Sequence, residues 1–190
     1  MAKFPPHPQR RGAVITGASS GIGLATAEAL ALAGHPVVRG ARRVDDLEAA
    51  AARIRENGGE AHAVFLDLAD PATIEAFCST ARDALGEIEI IVANAARNQV
   101  GSVLETSPEE FEEVMSVNVA GTHRIIQTLL PEMVTRQRGD VVFITSDVVV
   151  NPRPSMVAYV ASKWGLEGYA RALQMELEGT GIRATVVRPG

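Results

Sequence analysis

Short, almost wholly apolar runs alternate with longer Ala- and Leu-rich segments along the whole 190-residue chain, and this rhythm limits its fold more than any other property. Runs of five to seven apolar residues bounded by glycine or polar residues predict buried strands over 12–16, 36–40, 61–66, 88–93, 140–145 and 182–188. The segments between them carry helical spacing and predict helices over 21–33, 45–57, 71–85, 108–136 and 155–178. Their ends are marked. Asp70 precedes Pro71 as a cap, Ser107 precedes Pro108-Glu109-Glu110, and Gly34 and Gly58-Gly59 follow helix ends. Strands that are apolar throughout, rather than alternating, belong in a parallel sheet covered on both faces. The expected fold is therefore α/β: a doubly wound parallel sheet in three layers. Residues 1–190 form one domain, since no composition break, repeat or low-complexity stretch divides them.

The first strand runs into Thr16-Gly17-Ala18-Ser19-Ser20-Gly21-Ile22-Gly23, and the first helix starts inside this segment. Three glycines in this context point to a dinucleotide-binding turn. Gly17 would permit the tight turn, Gly21 would let the backbone approach a pyrophosphate, and Gly23 would allow close helix–sheet contact. The helix mouth offers free N–H groups and the positive end of a dipole to an anion. Ser19, Ser20 and Ile22 join the glycines as cofactor-binding candidates.

Tyr159 and Lys163 stand four residues apart in a chain with only two tyrosines and two lysines. On a helix this spacing places both side chains on one face. A phenol ordinarily titrates near ~10. Opposite charges ~4 Å apart attract by ~4 kcal/mol at an effective dielectric of ~20. The expectation is that Lys163 lowers the Tyr159 phenol toward the range useful for proton transfer.

Composition excludes several other functions. Hydrophobic residues make up 46% and net charge is -5, which fits a soluble globular protein and argues against broad nucleic-acid or anionic-membrane binding. The single cysteine, Cys78, cannot form an internal disulfide and reads as a small core residue. His7, His35, His62 and His123 show no ligand spacing, so no metal is expected. No stretch reads as a secretory signal or membrane span, and a cytoplasmic location is expected. Prolines near the start make residues 1–10 an expected mobile leader.

Taken together these motifs resemble the short-chain dehydrogenase/reductase family, whose fold is Rossmann-like. Thr-Gly-x-x-x-Gly-x-Gly is matched by residues 16–23 and Tyr-x-x-x-Lys by Tyr159 and Lys163. The resemblance implies that Ser146, thirteen residues before Tyr159, is the third catalytic residue, binding the substrate oxygen, and that Asn118 holds a water in a proton path. It further implies that Asp67, with neighbouring Leu68, lines the adenine site, and that Asn94-Ala95-Ala96 is the turn after the fourth strand, with Ala96 in place of the usual glycine. Pro189 and Gly190 would form the cofactor turn after the sixth strand. Lys163 would also hold the nicotinamide ribose. Family members normally continue with a substrate loop, a helix and a seventh strand, so the usual C-terminal strand and helix are missing from the sequence.

The implied activity is NADP(H)-dependent interconversion of a ketone and a secondary alcohol, with Tyr159 as general acid and base. Ala41 takes the place of an NAD-selecting aspartate, and Arg42 stands where a guanidinium would grip a 2′-phosphate, so NADP(H) is expected over NAD(H). The loops over 97–106 and 147–156 would line a moderately apolar substrate pocket. The helices starting near Pro108 and Ser155 would pair two copies into a homodimer or homotetramer. The alternatives are a non-catalytic dinucleotide-binding redox sensor on the same fold, or a sugar-nucleotide epimerase, whose relatives carry a different glycine spacing.

Overall fold

The structure, a computed structural model, describes residues 9–190. Most of the expected leader, residues 1–8, lies outside the described residues; Arg10, at its end, is tied to the body by an ion pair with Glu60.

Among the described residues, six strands and six principal helices follow one another. They are β1 (Gly12–Thr16), α1 (Gly21–Leu32), β2 (Val37–Ala41), α2 (Val44–Glu56), β3 (Ala61–Phe65), α3 (Pro71–Leu85), β4 (Ile88–Ala93), α4 (Pro108–Met115), α5 (Thr122–Arg136), β5 (Gly139–Ile144), α6 (Val157–Glu176) and β6 (Ile182–Val187). All neighbouring strands pair in parallel, in the order β3-β2-β1-β4-β5-β6. The chain winds outward from β1 to one edge and then from β4 to the other, so a crevice opens beyond the carboxyl ends of β1 and β4.

Every residue of β1, β2 and β4 is buried, as strands covered on both sides must be. Side chains alternate between two cores. Ala13, Ile15 and Val92 pack with Ala27, Ala31, Leu47 and Ile54 of α1 and α2. Val14, Ile91 and Phe143 pack with Phe77, Ile125 and Leu166 of α3, α5 and α6. Cys78 is buried in the second core, where burial pushes its thiol up to about 11. That is the behaviour of a packing residue.

Two helices differ from expectation. The segment 108–136 is not one α-helix, because Ser116–Gly121 is a π-helical turn joining α4 to α5. The wide turn accommodates Gly121, where a Cβ would stand 2.4 Å from the Leu68 carbonyl oxygen. The helix expected from 155 begins at Val157. Ser155 has φ 59, a left-handed conformation that no right-handed helix can include, and its carbonyl accepts a bond from Gly101 N at 2.8 Å. The caps fall as expected. Asp70 accepts from Ala72 N at 2.9 Å, and Ser107 and Glu110 form a reciprocal capping box. No described helix is long and apolar enough to cross a membrane.

Candidate active site

The glycine turn occupies the crevice at the end of β1. Gly17 has φ 67, and a Cβ there would lie 2.6 Å from Ala95 Cα, so only glycine fits. Gly21 opens α1, also with positive φ, and the space where its Cβ would stand is empty of protein to 4 Å. A Cβ on Gly23 would come within 2.5 Å of both Asn94 Nδ2 and the Gly17 carbonyl. The close contact expected of Gly23 is thus with an amide at the end of β4. That amide donates to the carbonyls of Thr16 (2.9 Å) and Gly17 (3.1 Å), while Thr16 Oγ1 accepts from Asn94 N and Ala95 N. Ser20 precedes α1 without capping it through its side chain, so the first-turn N–H groups are not taken up by that hydroxyl.

The Ser20 hydroxyl instead meets Arg43, whose guanidinium lies 2.8 Å from Ser20 Oγ and 2.9 Å from Ser19 Oγ and pairs with Asp46. Arg42, Arg43, Ala41, Asp67, Leu68 and Ala95 line one wall system with Gly17, Ser19 and Ser20, around a cleft of about 410 Å³. Asp67 also takes the structural role open to it, its carboxylate accepting from Ala69 N at 3.0 Å. Beneath the turn lies Arg39, wholly buried on β2, which donates to the Ala18 carbonyl and to the Leu47 carbonyl. Burial pulls its pKa down from the usual arginine range.

A second cleft of about 360 Å³ shares Asn94 and Ala96 with the first and is lined by Ser146, Tyr159, Lys163, Pro189 and Gly190, with Ile22 at its edge. Three of the expected catalytic side chains, Ser146, Tyr159 and Lys163, therefore converge, while Asn118 does not line this cleft. The Ser146 hydroxyl lines this cleft with Tyr159, donates to Asp147 Oδ1 at 3.2 Å and accepts from Val148 N at 3.3 Å. Val148 and Met156 supply an apolar wall, but Asp147 and Arg153, paired at 2.6 Å, add a charged one that the expectation of a moderately apolar pocket omitted. Val149 belongs to the core instead.

The relation of Lys163 to Tyr159 needs correction. Burial raises the phenol's pKa, partly offset by the Ser146 hydroxyl. Burial lowers Lys163 to about 8. Its ammonium donates to the Ile144 carbonyl at 2.8 Å and sits 5.6 Å from the centre of the Tyr159 ring. Desolvation is the largest cause of both shifts.

Asn118 lies on the π turn, fully buried. Its Oδ1 accepts from Arg97 N (2.7 Å), and its Nδ2 donates to Arg97 O (3.0 Å) and Ser162 Oγ (2.8 Å). Ser162 in turn donates to the Tyr159 carbonyl at 2.7 Å. The side chain thus joins α6 to the loop after β4.

The profile of the family described as short chain dehydrogenase matches residues 11–190. The chain belongs to this short chain dehydrogenase family. Similar members include the 1-deoxy-11-beta-hydroxypentalenate dehydrogenase of Streptomyces exfoliatus, 36% identical over 187 residues, which cover 97% of this chain and 68% of that protein. Among solved structures, a variant of actinorhodin polyketide ketoreductase with NADPH superposes with a TM-score of 0.92 at 33% identity, covering 95% of this chain and 70% of that one. L-sorbose reductase of Gluconobacter frateurii, complexed with NADPH and L-sorbose, superposes with a TM-score of 0.93 at 31% identity over 98% and 72% of the two chains. Across four of the first curated relatives it matches, the chain spans between 14% and 70% of their length. The family is one of oxidoreductases.

Four side chains near the site escaped sequence reasoning. Arg43 had a signal, its place beside Arg42. Asp147 and Arg153 sit in loops whose closure is not legible from spacing. Arg39 stands in an apolar run where one arginine reads as a strand residue turned to solvent.

Proposed function

We propose that the chain catalyses NADP(H)-dependent interconversion of a ketone and a secondary alcohol. The observation that carries this reading is that Ser146, Tyr159 and Lys163 line one cleft, which continues through Asn94 and Ala96 into the glycine-turn cleft. The residues present fit a dinucleotide: an open glycine turn, a helix mouth without a side-chain cap, and two guanidiniums beside it. When bound, the nicotinamide supplies or accepts the hydride.

The chain's residues do the rest. Tyr159, whose phenol stays protonated at neutral pH, would donate its proton to the carbonyl oxygen in reduction, and its phenolate would take the proton from the alcohol in oxidation. Ser146 supports the negative charge that develops on substrate oxygen or phenolate. Lys163, titrating at about 8, carries a proton through much of the neutral range and contributes positive charge beneath the phenol. Ala41 presents no carboxylate to repel a 2′-phosphate, and Arg42 and Arg43 offer guanidiniums to it, which supports NADP(H) over NAD(H). The apolar wall of Val148 and Met156 favours a substrate with an apolar body. Association of two copies is supported by large side chains exposed on α4 and α6, Phe111 and Trp164; light scattering on the full chain tests it.

The deciding experiment is NADPH oxidation, followed by absorbance, against a panel of ketones, with Tyr159→Phe alongside. Turnover in the parent and none in the variant is the expected result. Equal turnover in both removes Tyr159 from the reaction.

A further inference from the structure

Glu167 lies one helical turn beyond Lys163 on α6, and its carboxylate is almost sealed, with 2% of the side chain exposed. A buried carboxylate is retained at little cost only when it is fully partnered. Glu167 has partners from three elements. Arg188, just past β6, grips it with two guanidinium nitrogens, one of them Nε at 3.1 Å. Thr145, just past β5, reaches its Oε2 at 3.4 Å and the Val187 carbonyl at 3.2 Å. Arg171, on the next turn of α6, donates to its Oε1 at 3.0 Å. The Arg188 hydrogen bond, and less strongly that of Arg171, lowers the carboxyl's pKa from its ordinary value against the cost of burial.

Each cross-element partner adjoins a site residue. Thr145 precedes Ser146, and Arg188 precedes Pro189, whose carbonyl accepts from Asp147 N at 2.8 Å. Glu167 shares its helix with Tyr159 and Lys163. We propose that Glu167 is a positioning residue that, through Arg188, locks the turn Pro189-Gly190 against the helix carrying Tyr159 and Lys163, and so sets the nicotinamide half of the cofactor site. The adenosine half, built on the glycine turn, Arg42 and Arg43, does not depend on it. Arg171 shares the carboxylate but belongs to the same helix, and its side chain is 63% exposed. It adds charge balance and no cross-link.

The proposal rests on the cofactor reading above, and its test separates the two. Dissociation constants for NADPH and for 2′-phospho-ADP-ribose, which lacks the nicotinamide ring, are measured by calorimetry on the parent, Glu167→Gln, Arg188→Gln and Arg171→Gln. Glu167→Gln and Arg188→Gln are expected to weaken NADPH roughly tenfold or more, since a misplaced wall costs factors of ten to about a hundred. Both are expected to leave 2′-phospho-ADP-ribose unchanged. Arg171→Gln is expected to match the parent with both ligands. The double variant Glu167→Gln/Arg188→Gln loses no more than either single variant, because one contact is being broken. Equal weakening of both ligands, or no weakening of NADPH, overturns the proposal. Should Glu167→Gln fail to fold, Arg188→Gln removes the same contact from an exposed side chain and decides the matter alone. A parent that binds neither ligand sinks the cofactor reading itself.

Discussion

Lys163 donates to the carbonyl oxygen of Ile144, the last residue of β5, and this bond holds the ammonium under the sheet end with 2% of the residue exposed. Charging a lysine there costs free energy, and the direction with pH follows. The folded chain holds this proton to about pH 8, while an unfolded lysine holds it to 10.5. The cost is therefore fully present below about pH 8, shrinks as pH rises, and is gone above 10.5. Its size is on the order of 3 kcal/mol. Lys163→Met removes it while leaving the Ile144 carbonyl without its donor, a loss of about 1–3 kcal/mol that does not titrate. The stability of Lys163→Met relative to the parent should thus be best near pH 7 and decline as pH rises through the window from 8 to 10.5. Denaturant titrations across that range check it; a pH-independent difference would show that Lys163 is not desolvated. Turnover should be lost at every pH.

Tyr159→Phe removes one oxygen and keeps the ring packed beside Lys163. Turnover should fall by about a hundredfold or more, the usual contribution of a positioned acid. Cofactor affinity should not change, because the phenol acts on substrate. Single-turnover kinetics and equilibrium binding separate the two. A matched loss in both would make Tyr159 a binding residue.

Arg42→Ala should raise KM for NADP(H) about ten- to hundredfold, the loss of a charged hydrogen bond worth ~1.5–3 kcal/mol. KM for NAD(H) should hardly move. Arg43→Ala should act in the same direction and also free the Ser19 and Ser20 hydroxyls it now binds. The check is a pair of Michaelis constants for each variant. Equal losses with both cofactors would place these arginines away from the 2′-phosphate.

The sheet was legible because each strand is a short apolar run closed by glycine or a polar residue, so the six strands lie within a residue or two of expectation. The capped starts of α3 and α4 were legible because Asp70-Pro71 and Ser107-Pro108 are local signals. The π turn was not. Ser-Val-Asn-Val-Ala-Gly reads as ordinary helix, and the Gly121 contact that the wide turn accommodates comes from Leu68, far away in sequence. The Tyr159–Lys163 spacing was read correctly, while its electrostatics were not. Burial depends on the end of β5 and on β6, which no i, i+4 argument includes. Glu167 likewise reads as a helix-surface partner of Arg171, and only the fold brings Arg188 to it.

Ser162→Ala tests the clamp around Asn118. The hydroxyl accepts from Asn118 Nδ2 and donates to the Tyr159 carbonyl, all within a buried region. Removing it leaves one Asn118 amide proton unpaired, at about 1–3 kcal/mol, while the Tyr159 carbonyl keeps its place in the α6 hydrogen-bond ladder. The denaturation midpoint should drop with an unchanged slope, the sign of a lost contact rather than a changed unfolded state. Turnover should fall as well, since the bond holds α6 to the loop after β4. Full activity in a destabilised Ser162→Ala would confine the clamp to stability.

Gly23→Ala places a methyl group 2.5 Å from Asn94 Nδ2 and from the Gly17 carbonyl. Neither can yield easily, because Asn94 is itself bonded to Thr16 and Gly17. Such overpacking costs about 1–3 kcal/mol and should shift the glycine turn, so stability and NADPH affinity should fall together. Gly21→Ala differs in kind. Its added methyl meets no protein atom, and only the left-handed backbone, at φ 56, opposes it, at about 1–2 kcal/mol. The distinction appears in a double variant. Gly23→Ala/Asn94→Ala should recover part of the stability lost by Gly23→Ala, because the colliding amide is gone, whereas Gly21→Ala/Asn94→Ala should show simple additivity. Additive losses in both doubles would mean that the turn adapts to the methyl without pressing on Asn94.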